Sequence, residues 1–230
     1  MPASFDSLSR GCGLIAVQSR AETRKGMRMS QSKVLADRIY SGEGIAADAL
    51  RIVAANFLLV LCAHIVIPLP WTPVPITGQT FGVLLVAVLL GARRGAITLI
   101  LYLLEGAAGL PVFQPLGLAG LARFTGPTAG YLFSYPFAAS VTGWLVERSA
   151  KMGNARHEGS RPAGLPLIGA LISGEAIIFA CGCAWLAWFL GKGWSVAWSL
   201  GALPFLPGEI IKMALIVIAA GGLQLARREA

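Results

Sequence analysis

Charge is scarce in this chain. Only 13% of its 230 residues are Asp, Glu, Lys or Arg, against about 25% in soluble domains. Hydrophobic residues make up 56%, and mean hydropathy is +0.70. These values exclude an ordinary water-soluble domain and make lipid the expected solvent. Histidine is scarcer still, at His64 and His157. Neither lies near Cys181 and Cys183, and three of the four cysteines (Cys62, Cys181 and Cys183, but not Cys12) fall in apolar runs. They read as small hydrophobic fillers rather than metal ligands. No G-x-x-x-x-G-K-[ST] loop is present, so ATP is not bound in that way. G-x-S-x-G and H-E-x-x-H are missing too, and no Ser/His pairing suggests a protease. The short apolar piece GCGLIAVQ near the start is too brief for a signal-peptide core with a cleavage site.

What the chain does have is apolar length. A hydrocarbon core about 30 Å thick takes roughly 20 apolar residues per helix, and six such runs follow Ala49. They cover about 49–69, 79–91, 95–109, 128–147, 165–190 and 205–226. Open strands cannot span lipid, because their backbone groups would be left unsatisfied. The expected fold is an all-α membrane bundle of six transmembrane helices over 49–226. Residues 1–48 are expected to form a disordered cytoplasmic tail, with Met27 or Met29 as alternative starts, and 227–230 a cytoplasmic C-terminus.

The net charge of +8 follows topology. Sixteen of the nineteen Lys and Arg residues fall on one side: those up to Arg51, Arg93 and Arg94, Arg148 to Arg161, and Arg227 and Arg228. Only Arg123, Lys192 and Lys212 fall on the other. The positive-inside rule then puts both termini in the cytoplasm, and no nucleic-acid partner is implied.

The opposite, outer face has nine of the thirteen prolines. They are Pro68 and Pro70, those in WTPVPITGQT (71–80) and GLPVFQP (109–115), Pro127, and those in LPFLPGE (203–209). Prolines end helices, and that alone explains any one loop. These loops, however, also bring most of the outer polar groups: Thr77, Gln79, Arg123, Thr128, Tyr131, Glu209 and Lys212. Irregular backbone at membrane depth is tolerated where it lines a cavity, and ionisable groups there are usually functional. Glu209 and Lys212, at i and i+3, share a helix face, as a self-neutralising ion pair or as two ligand contacts. Arg123 reads as a solvated loop charge or as a ligand contact. Together these residues describe a pocket for a small, partly apolar acid. Glu105 and Glu175, inside the third and fifth runs, are weaker candidates that could instead bond neighbouring helices. His64 reads as an interfacial hydrogen-bonder.

Three blocks then become specific. PVPITGQTFGVLLVAVLLGARRGAITLILYLLEGAAGLPVF (73–113), GPTAGY (126–131) and PFLPGEIIK (204–212) closely resemble the BioY family, the biotin-binding S components of energy-coupling-factor (ECF) transporters. The resemblance covers about 45–226 in order. It implies a six-helix fold and biotin uptake across the cytoplasmic membrane, together with a transmembrane coupling subunit and ABC-type ATPases. No cofactor is implied. The family's glutamine matches Gln79, its basic residue before GPT-x-GY matches Arg123, and its PGD-x-x-K site matches Gly208, Glu209 and Lys212, with Glu in place of Asp. Gln114 is a weak match to a polar residue near GLPVF. A clean A-x-x-x-A docking pattern is not evident in the first run. Two alternatives stay open: an S component for another small acidic vitamin, and an intramembrane enzyme using Glu105 or Glu175 as a base.

Overall fold

The computed structural model describes residues 44–153 and 164–229, with side-chain surroundings to Ala220. The expected tail up to residue 43 and the segment 154–163 lie outside the described residues. Helix α1, Ile45–Ala63, starts a few residues before the expected 49 and stops six short of 69. It stops early because the chain turns into a short β-ladder. Strand β1, Val66–Ile67, pairs antiparallel with β2, Ile76–Thr77, with Val66 opposite Thr77. Three of the four paired residues are Ile or Val, which suit extended backbone. The N–H of Gly78 extends the ladder by donating to the Ile65 carbonyl at 2.9 Å. This ladder fixes where Thr77 and Gln79 enter the next helix.

The helical stretch Gln79–Ala107 is broken at Gly91, which has φ 78° and ψ −174°, a region open essentially to glycine alone. The chain doubles back there. A methyl group built on Gly95 would sit 3.4 Å from the Cα of Ala87, although eight residues along a straight helix span about 12 Å. Likewise the side chains of Gln79 and Tyr102 are bonded at 2.6 Å. The stretch is therefore two antiparallel helices, α2 (79–90) and α3 (92–107), and the two runs expected at 79–91 and 95–109 form a tight hairpin. The Glu147 carboxylate accepts the Ala92 N–H at 2.9 Å, capping the start of α3 where the helix dipole favours negative charge. Gly143 makes room for the turn, since any side chain there would strike the backbone of Gly91 and Ala92.

Four helices complete the fold. They are α4 (Ala129–Gly153), α5 (Leu165–Leu190), a short α6 (Trp194–Gly201) and α7 (Leu206–Glu229). Helix α5 ends where its sequence run ends, on Gly191 at φ 62°, whose N–H bonds back to the helix as a left-handed cap requires. Helix α6 falls in a stretch expected to be loop, and its axis is bent 54° from that of α7. Ile45–Ala63 and Leu165–Leu190 are single helices long and apolar enough to cross a bilayer, and α6 and α7 pass the same test together as a bent pair. With the second stretch a hairpin and α4 beside it, the result is the expected multi-pass all-α bundle.

Two apolar clusters hold it. Leu59, Val83, Leu99, Tyr102, Leu132, Tyr135, Ile178, Leu186 and Phe205 pack near the proline-bearing end. Leu84, Val88, Val146, Leu167, Leu171 and Ile216 form the second.

Candidate ligand-binding site

The proline-bearing loops converge on the start of α2. Gln79 is buried there, its amide nitrogen donating to the Tyr102 hydroxyl at 2.6 Å while its amide oxygen faces the Thr77 hydroxyl at 3.4 Å. Thr80, one residue on, donates to Glu209 Oε2 at 2.8 Å. Glu209 stands in the first turn of α7 and is 4% exposed. Its other oxygen, Oε1, accepts a hydrogen bond from the Lys212 ammonium at 2.7 Å. The Lys212 Nζ also donates to the Thr77 carbonyl at 2.7 Å and to Thr80 Oγ1 at 2.9 Å. All three of its donors are thus engaged. Charge-assisted bonds of this kind join α2 to α7 across the site.

A cavity opens beside this cluster. Thr77, Gln79, Thr80, Gln114, Tyr131 and Glu209 supply its polar lining, and Leu132, Phe179 and Phe205 are among its apolar walls. Tyr131 is anchored by its hydroxyl, which donates to the Gly201 carbonyl at 2.7 Å. Gln114 brings an uncommitted acceptor, because its buried Oε1 has no hydrogen-bond partner. Pro75, Gln114 and Thr128 also line a second cleft, formed by the loops and lined in part by Arg123. The site can therefore offer carboxylate, amide and hydroxyl groups to a polar ring, within an apolar frame that suits a short hydrocarbon chain.

Most of the sequence candidates meet here, in different capacities. Thr77, Gln79, Thr128, Tyr131 and Glu209 line the inner cavity, as does the weaker candidate Gln114. Lys212 stands behind Glu209 and is not part of the lining. Arg123 is buried rather than solvated, and its guanidinium clips its own loop, donating to the carbonyls of Leu116 at 2.5 Å and Gln114 at 2.6 Å. Burial lowers its pKa from the ordinary arginine value. Glu105 lies outside the cavity and accepts a hydrogen bond from Asn56 at 2.6 Å, tying α3 to α1. Glu175 lines a separate crevice between α5, α6 and α7, which shares Phe179 and Glu209 with the inner cavity. His64 bonds the Val60 carbonyl at 2.8 Å, within its own turn.

Three residues of the site were not among the candidates. Thr80 lies in the quoted motif beside Gln79. Tyr102 stands almost as far after Gly91 as Gln79 stands before it, so pairing positions across the expected hairpin would have found it. Tyr135 lies one turn along α4 from Tyr131 and shares its helix face.

Comparison with known proteins agrees with this architecture. The BioY family model matches residues 29–229. Biotin transporter BioY of Rhizobium etli is 38% identical over 170 residues, covering 73% of this chain and 88% of the relative. A probable biotin transporter BioY of Pyrococcus horikoshii is 36% identical, covering 66% and 82%. Among solved structures, the S-component for biotin from an ECF-type ABC transporter superposes with a TM-score of 0.66 at 23% identity, covering 78% of this chain and 91% of that one. With the family model spanning most of its length and relatives matched over most of theirs, this chain belongs to the BioY family.

Proposed function

We propose that this chain captures biotin at the outer face of the cytoplasmic membrane, as the S component of an ECF-type uptake system. The observation that carries the reading is the cavity at the proline-bearing end, where Gln79, Glu209, Gln114 and Tyr131 stand among apolar walls in a chain of this family. Biotin joins a ureido ring, with two N–H donors and a carbonyl acceptor, to an apolar chain ending in a carboxylate. Glu209 keeps lone pairs beyond those taken by Lys212 and Thr80, and it accepts ureido N–H groups. The Gln79 and Gln114 amides and the Thr77 and Tyr131 hydroxyls complete the polar complement. Lys212 holds Glu209 in place, and Arg123 shapes the loop over the outer cleft. Nothing in this arrangement requires covalent chemistry, so the protein binds without turnover. Both termini face the cytoplasm, and a transmembrane coupling subunit with ABC-type ATPases supplies the energy.

Titration of the purified protein with biotin in detergent tests the proposal. One biotin bound per chain, unchanged after release, is the expected result. Absence of biotin binding alongside tight binding of another acidic vitamin would reassign the substrate.

A further inference from the structure

Glu175 is a buried ionisable group that the ligand cavity does not use. It stands in the interior of α5 and is 5% exposed, and neither carboxyl oxygen has a hydrogen-bond partner. The crevice it lines is otherwise walled by hydrocarbon and aromatic side chains, among them Phe179, Trp198, Ile210 and Met213, except that Glu209 faces it too. Its depth follows from its neighbour. Gly174 packs against Leu84 and Thr142, and Leu84 lies one turn along α2 from Thr80, the residue that holds Glu209. Glu175 therefore lies about one turn deeper than Thr80 and shares its crevice with Glu209, the partner of Lys212. A carboxyl group left without a partner in such surroundings is costly, and groups of this kind inside membrane spans mark function.

We propose that Glu175 is a second acceptor for the Lys212 ammonium, taking it over when a ligand N–H engages Glu209. In the ligand-free protein Lys212 donates to Thr77, Thr80 and Glu209. A ligand that donates to Glu209 from the inner cavity uses its remaining lone pairs and draws on the same negative charge, which weakens the hold of Glu209 on Lys212. Glu209 stands between the two cavities, and on its far side Glu175 offers two uncommitted oxygens. Glu175 is thus a positioning residue: it touches no ligand and sets how readily Glu209 is released to one. This rests on the reading of Glu209 as an acceptor for biotin.

The test is a double-mutant cycle on biotin affinity. Glu175→Met keeps the volume and removes both acceptors. It is expected to weaken biotin binding at least tenfold while the ligand-free protein melts no lower than wild type, since an unpartnered polar group has been removed. In a Lys212→Met background, where no ammonium is left for Glu175 to accept, the same change is expected to cost less than twofold. Glu175→Gln, which retains one acceptor oxygen, is expected to fall in between, and it carries the same cycle if the methionine variant does not fold. Wild-type affinity in Glu175→Met, or an equal loss in both backgrounds, overturns the proposal. A wild-type protein that does not bind biotin defeats the underlying reading instead.

Discussion

A half-buried ammonium with all three donors engaged has little left for a ligand, and Lys212 is in that position. If it acts through Glu209, Lys212→Ala should weaken biotin and the uncharged biotin amide by the same factor, measured by titration calorimetry. A larger loss for biotin would make Lys212 the carboxylate partner. Glu209→Gln is the cleaner probe of the acceptor itself. Hydrogen bonds to a charged group are worth about 1.5–3 kcal/mol, so its affinity should fall roughly tenfold or more. Arg123 invites a third test. Its two donors span the carbonyls of Gln114 and Leu116, a fork that lysine cannot reproduce. Arg123→Lys should loosen the loop and speed amide exchange across 114–123, and unchanged exchange would return Arg123 to a passive role. At this scale the sequence was informative about which residue types gather. It was silent on whether a cation faces the ligand or braces a neighbour, because that depends on angstrom-level geometry between loops far apart in sequence.

Among the elements, the hairpin of α2 and α3 depends on one residue. Alanine at Gly91 would meet both the disallowed φ and the Glu147 carboxylate. Backbone strain of that kind is worth about 1–3 kcal/mol, so Gly91→Ala should lower thermal stability measurably. Gly193→Ala is the control, with an ordinary φ and open space around it, and should stay within about 0.5 kcal/mol. Equal effects would remove the special role of Gly91. Long apolar runs ending in glycine were legible in advance, and α5 agrees with its expected limits. The β1–β2 ladder and α6 were not. Two paired residues leave no periodic trace, and Trp194 to Gly201 is too short a helix to stand out from a loop rich in apolar residues.

For the molecule as a whole, orientation and energy supply are the open matters. With the termini inside, a cysteine at exposed Leu118 should react with an impermeant reagent added outside intact cells, and one at exposed Met152 should not. The reverse pattern would move the cavity to the cytoplasmic side. Concentrative uptake driven by ATP should appear only when coupling and ATPase subunits are co-expressed, whereas binding should survive without them. The general architecture was legible here because lipid imposes it: hydropathy marks the spans. The turn at Gly91 has one more consequence for the host membrane. At about 1.5 Å per residue, α2 and α3 are only about 18 and 24 Å long, shorter than a hydrocarbon core of about 30 Å. That is a hydrophobic mismatch at one flank, which a thinner bilayer relieves. Reconstituted chains should therefore be more stable in vesicles of shorter acyl chains, and should partition toward the thinner regions of a mixed membrane.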